Sequence, residues 1–243
     1  MPRGKISIQD DSTKSFHSLW GINAVCLKYE QDDIMTKAIE FFFDLSSPWT
    51  CLAFHNIQPM LDGLNVDIVW RPFLVGGIHN QVNKAYPEAR AKDYGSPKWK
   101  QLAQSLADWS AQSGVTMNFP GPHFPLRSVN AMRFCCLLEQ EQDKLKKFAK
   151  AGFEAYYSDQ ENLDDPDILV RIANDVGLNG EAMRSDCQKQ DCKDHLRSNT
   201  DEAIARGAFG SPSIFVPFGQ SERLYFGNDQ LPLVKWAITQ NPL

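Results

Sequence analysis

The sequence predicts an α/β fold in which a strand–helix–strand unit and a later helix–strand–strand–helix unit are separated by a long all-helical segment. Three observations carry that reading. Residues 39–45 form an aromatic-rich apolar run that stops at Ser46-Ser47-Pro48 and gives way to a helical pattern. Period-two, β-branched patterning returns at residues 66–71 and again in two short runs after residue 213. From about Pro97 to Gln190 the apolar residues recur instead at helical spacing.

The first strand is a run of large apolar residues interrupted only by Glu40 and Asp44, too short to be a helix and rich in β-formers. Ser47 is a good N-cap, and Pro48 suits the first helical position because its missing N–H would have had no partner there. The Ser47 hydroxyl is therefore placed at a helix N-terminus, where free N–H groups and the helix dipole favour an anion. That helix runs to about Leu61 and stops at Asp62-Gly63. Residues 66–71 then make a second strand, closed by Pro72, at the right distance for a parallel pair. Residues 73–87 are expected to be a loop leaving the sheet, with Gly76 and Gly77 supplying special dihedrals or a close backbone approach.

Within the helical segment Trp99, Leu102, Leu106 and Trp109 share one face, and Gly114 is a natural C-terminal stop. A proline-rich connection, residues 119–125, follows. Ser128 is expected to cap a helix carrying Met132, Cys135, Cys136 and Leu138; the next carries Leu145, Phe148, Gly152 and Tyr156, and a third runs from Asp164-Asp165-Pro166 to Gly177. These stripes read as core. The C-terminal section is expected to hold a helix over about 191–206, a hairpin across residues 219–222, and a last helix over about 231–239.

Composition narrows the function classes. The 243 residues are 42% hydrophobic with a net charge of -5, which supports a sizeable core and gives nucleic acid no electrostatic footprint. No apolar run approaches the roughly 20 residues of a membrane span. The first residues lack an apolar signal core, so a cytoplasmic protein with reduced, mostly buried cysteines is expected. The five histidines show no metal-ligand spacing with one another or with the cysteines, so no metal is expected.

Ser47-Pro48-Trp49-Thr50, between a strand and a helix, resembles the active-site turn of the thioredoxin superfamily, with Ser and Thr where that superfamily has its two cysteines. Four further patches fall in the order of one branch. They are residues 71–78 with Asn83 and Lys84, residues 130–134, Gly207-Ala-Phe-Gly-Ser-Pro212, and Phe226-Gly-Asn-Asp229. From about Ile39 onward the chain resembles the kappa-class glutathione transferases and 2-hydroxychromene-2-carboxylate isomerases. The resemblance implies a thioredoxin-like fold interrupted by an all-helical insertion domain. Residues 1–36 would be an N-terminal extension, 37–90 with 191–243 the thioredoxin-like part, and 91–190 the insertion.

It also implies a chemistry. Glutathione would be held as its thiolate by the Ser47 hydroxyl and would attack an electrophilic carbon of a small, aromatic-derived substrate. Pro212 would be cis, presenting the Ser211 backbone to the glutathione peptide, with little part for the Ser211 side chain. Asn228 and Asp229 would meet the γ-glutamyl end, Asn83 the cysteinyl region, and Lys92 the glycyl carboxylate, with Lys84 and Arg90 near enough in sequence to take that last role instead. Trp49, Phe73 and Phe124 would wall the electrophile site. Gln230 stands where the family usually has Arg. Family members are commonly homodimers. Two other readings stand beside this one: a non-catalytic glutathione-binding domain, and a DsbA-type oxidoreductase, against which the absence of cysteine at 47 and 50 counts.

Overall fold

The computed structural model describes residues 37–82 and 95–240, so the N-terminal extension, Asn83 and Lys92 lie outside the described residues. The chain runs β1 (Lys37–Phe43), α1 (Pro48–Leu61), β2 (Val66–Pro72) and α2 (Val75–Gln81). Then come α3 (Pro97–Ser113), α4 (Val129–Leu137), α5 (Gln142–Phe153) with a π turn (Glu154–Ser158), α6 (Pro166–Asp175), α7 (Gly180–Asp186) and α8 (Gln190–Ala205). It closes with β3 (Ser213–Phe218), β4 (Ser221–Phe226), a 3₁₀ turn (Asn228–Gln230) and α9 (Leu231–Gln240).

Four strands form one mixed sheet in the order β2-β1-β3-β4. β1 and β2 are parallel, with Phe41 opposite Trp70, and β3 is antiparallel to β1, with Phe41 opposite Ile214. β3 and β4 form the hairpin, turning at Gly219, whose φ of 61° at the first central position fits the turn that matches strand twist. The continuous apolar character of β1 has a simple cause: both its faces are covered. Phe41 and Phe43 face Phe54 and Trp70 and merge with Phe134, Phe148 and Phe153 of the helical segment. Phe42 points the other way, edge-on to Phe73 and Phe215. The helices between β2 and β3 thus share the core of the sheet.

Glu40, the charged break in β1, belongs to an ion network on this second face. Arg71 pairs with Glu40, Glu139 and Glu202, and Arg206 with Glu40, Glu202 and Glu222. The Arg206 guanidinium lies 4.0 Å above the Phe215 ring and that of Arg71 4.8 Å above Phe42, so the cations also cover the aromatic face.

Two expectations change. Residues 75–81 are helix rather than loop, because the Val75 N–H is capped from outside its own segment by the Asp44 carboxylate at 2.9 Å. Gly77 does mark a close approach: a Cβ there would stand 3.0 Å from Thr200 Cγ2. Ser128 begins α4 but caps nothing with its side chain; its hydroxyl donates to Asp44 instead. The helix α7 adds about two turns that periodicity did not separate. Its Gly180 sits where a Cβ would meet the Val170 carbonyl oxygen at 2.4 Å. Gly180→Ala is therefore expected to destabilise the fold by roughly 1–3 kcal/mol in denaturant unfolding.

Candidate active site

The site is built where β1 ends. The Ser47 N–H closes a turn on the Asp44 carbonyl at 3.2 Å, and Ser47 becomes the N-cap of α1 with Pro48 at the first helical position. Its Oγ accepts the Thr50 N–H at 3.2 Å and donates to the Ser211 carbonyl at 2.9 Å. Thr50, the fourth residue of the turn, shares a 2.7 Å hydrogen bond with the Ser211 hydroxyl. The Ser211–Pro212 bond is cis. Both hydroxyl positions of the Ser47-Pro48-Trp49-Thr50 turn thus grip the same residue across the sheet. The Ser211 side chain has a structural role that the sequence did not suggest, since it also accepts the Asp44 N–H at 3.0 Å.

Asp44 is the residue that sequence reasoning missed. Its carboxylate is fully buried and accepts three hydrogen bonds: the Ser46 N–H at 2.9 Å, the Val75 N–H at 2.9 Å and the Ser128 hydroxyl at 3.1 Å. Burial raises its pKa from the ordinary 3.8, against the lowering effect of those donors. A charge at the end of an apolar strand, next to a turn of hydroxyl residues, is the signal that marked it.

Beside Ser47 opens a cleft of about 220 Å³, with Trp49 of α1, His79 of α2, Leu102 of α3, Phe119 and the Phe209–Phe226 pair on its walls. The two Phe rings lie 4.6 Å apart and are partly exposed, at 44% and 37%. Gly210 makes this possible, because a Cβ there would strike the Phe226 ring at 2.5 Å. Phe119 packs edge-on against Phe124 and close to Trp99, so Phe124 supports the wall from behind.

The expected site residues do not all gather here. Ser47, Trp49 and Ser211 line the cleft. Phe73 does not: it is fully buried on the Phe42 face, because β2 delivers it into the core. Asn228 is also turned inward, 1% exposed, with its Oδ1 accepting from Asn56 of α1 at 2.9 Å. Asp229 is exposed, and its carboxylate accepts only the Gln230 amide, at 3.2 Å, among the hydrogen bonds of the described residues. Cys51, one turn after Ser47, is buried among core side chains rather than on the wall of the cleft, and burial pushes its thiol pKa up.

The DSBA-like thioredoxin domain family matches residues 38–239. The chain belongs to that family. Its fold is the thioredoxin-like one with a helical insertion between β2 and β3. A 2-hydroxychromene-2-carboxylate isomerase of Sphingobium xenophagum is 27% identical over 209 residues, 83% of this chain and 97% of that protein. Glutathione S-transferase kappa 1 of Rattus norvegicus is 24% identical over 206 residues, 83% of this chain and 91% of that protein. A solved 2-hydroxychromene-2-carboxylate isomerase superposes with a TM-score of 0.69 at 17% identity, covering 84% of this chain and 95% of that one.

Asp44→Ala leaves two backbone N–H groups and a hydroxyl without their partner. At roughly 1 kcal/mol for each donor, the variant is expected to lose about 3 kcal/mol in urea unfolding. The pH dependence has a definite sign. Because the folded-state pKa is raised above the ordinary 3.8, the contribution of Asp44 is full below that value and is lost as pH rises through the folded value. The stability margin of wild type over Asp44→Asn is expected to shrink between acid and neutral pH; a margin that grows would reverse the assignment.

Proposed function

We propose that the protein is a cytoplasmic, homodimeric, glutathione-dependent enzyme in which Ser47 stabilises the glutathione thiolate for attack on an electrophilic carbon. One observation carries the reading: the Ser47 hydroxyl stands at the N-terminus of α1, on the wall of an aromatic cleft, one hydrogen bond from the Ser211 carbonyl. The names of the relatives agree with it. The hydroxyl proton is held by Ser211 in the free protein. A glutathione peptide N–H donated to that carbonyl would release the proton toward sulfur, so binding and thiolate stabilisation become one exchange. The Thr50 N–H keeps the oxygen in place meanwhile.

The thiolate adds to the electrophile lodged against Trp49, Phe119 and the Phe209–Phe226 pair. A transferase releases the adduct; an isomerase lets a bond rotate and then eliminates glutathione. The exposed Asp229 is assigned to the γ-glutamyl ammonium, and the buried Asn228 only supports its turn. Asn83 and Lys92 are assigned to the cysteinyl region and the glycyl carboxylate by family resemblance alone. The family name also covers dithiol enzymes, but Ser47 and Thr50 cannot form a disulfide.

An ultraviolet titration of bound glutathione tests the proposal. In wild type the thiol is expected to ionise at roughly 6–7 rather than about 8.5, and Ser47→Ala should restore the free value. An unshifted thiol in the wild-type complex, or no binding, would sink the enzyme reading. Asp229→Ala is expected to weaken glutathione binding roughly tenfold, about 1.4 kcal/mol, while the saturated complex keeps its lowered thiol pKa.

A further inference from the structure

On the face of the sheet that carries the ion network, three donor groups converge that spacing in the sequence did not connect. Cys136 on α4, Glu139 just beyond its end, and His195 on α8 bring a thiol sulfur, a carboxylate oxygen and an imidazole nitrogen within 4.8 Å of one another. Cys136 and Glu139 are three residues apart, and His195 comes from a helix 59 positions further along. This reverses the expectation that no histidine lies in a metal-binding arrangement. We propose that Cys136, Glu139 and His195 form a binding site for a zinc-class divalent cation, separate from the Ser47 cleft and independent of the function proposed for it.

The donor set is mixed soft and hard, thiolate, imidazole and carboxylate, which suits Zn²⁺ better than Mg²⁺ or Ca²⁺. The carboxylate is held as a ligand needs to be. Glu139 Oε1 faces the Arg71 Nε at 2.7 Å, and Oε2 accepts from Asn199 Nδ2 at 2.7 Å and meets His195 Nε2 at 2.8 Å. Arg71 and Asn199 therefore orient the group from outside, leaving the side toward His195 and Cys136 for the ion. Ligand distances of about 2.0–2.2 Å at a tetrahedral angle separate nitrogen and oxygen by about 3.3 Å, so this pair opens by about half an ångström when a metal replaces the shared proton.

Charge favours the same reading. Around the network two guanidinium groups, Arg71 and Arg206, face four carboxylates, Glu40, Glu139, Glu202 and Glu222, which leaves an excess of negative charge beside the three donors. Access is available from one side only. Cys136 and Glu139 are buried, whereas the His195 side chain is 37% exposed, so solvent reaches the cluster past the imidazole and water can complete the coordination. Binding displaces the Cys136 proton to solvent, together with any second proton on His195.

Full-length protein, stripped with a chelator and kept reduced, would be titrated with Co²⁺ as the optical probe for Zn²⁺. The expected result is saturation at a single equivalent with a thiolate-to-cobalt charge-transfer band, displaced by Zn²⁺. Cys136→Ser and Cys136→Ala should abolish the band, His195→Gln should weaken binding roughly tenfold or more, and Cys51→Ala should change neither. Far-UV circular dichroism confirms that each variant is folded. Two outcomes overturn the proposal: no saturable binding by folded wild type, or a charge-transfer band that survives in both Cys136 variants. In either case the cluster is only the Glu139 end of the Arg71 ion network.

Discussion

The architecture of the cleft depends on one buried carboxylate. Asp44 sits at the last position before the turn that presents Ser47, and its polar atoms reach three distant parts of the chain. Its carboxylate fastens the start of α2 through Val75 and the start of α4 through Ser128, and its own N–H fastens the turn before Pro212 through the Ser211 hydroxyl. The last of these spans 167 positions of sequence. A buried carboxyl with three donors is costly to desolvate and costly to leave incomplete, so this arrangement specifies a single relative placement of the segments. Ser47 inherits its position from that placement.

The opposite treatment of charge appears on the Phe42 face. There Arg71 and Arg206 are only partly buried, lie over aromatic rings and share their carboxylates, so each charge keeps some solvent or several partners. One end of the sheet is locked by a buried hydrogen-bond centre, and a broad face is covered by a partly exposed ion network. The convergence of Cys136, Glu139 and His195 arises at the border of that network because α4 and α8 both pack against it.

The function proposed for the Ser47 turn departs from dithiol chemistry on the same scaffold. Dithiol members of a thioredoxin-like family require a sulfur at the first and fourth positions of the turn. Here both positions carry hydroxyls, and both are engaged with Ser211 rather than with each other. A hydroxyl at a helix N-terminus can stabilise a sulfur anion supplied by a ligand without being consumed. That difference separates the thiol-binding site proposed here from a thiol-exchanging one, and it rests on two side chains rather than on the fold.

Much of the local structure was legible because its causes lie within a few residues. Ser47 and Pro48 start α1, Gly114 ends α3 with a φ of 66°, and Gly219 turns the hairpin, all through caps and backbone freedom that need no distant partner. The aromatic run of β1 announced a strand covered on both sides. What the sequence left open was set by contacts between segments far apart. The helix α2 exists in the place of an expected loop because Asp44 caps it, Ser128 spends its hydroxyl on Asp44 rather than on its own helix, and Phe73 and Asn228 are turned inward, away from the cleft. Cys136 and His195 meet for the same reason. Periodicity and capping fix the conformation of a segment; which side chains from different segments converge is decided only when those segments compete for the same buried space.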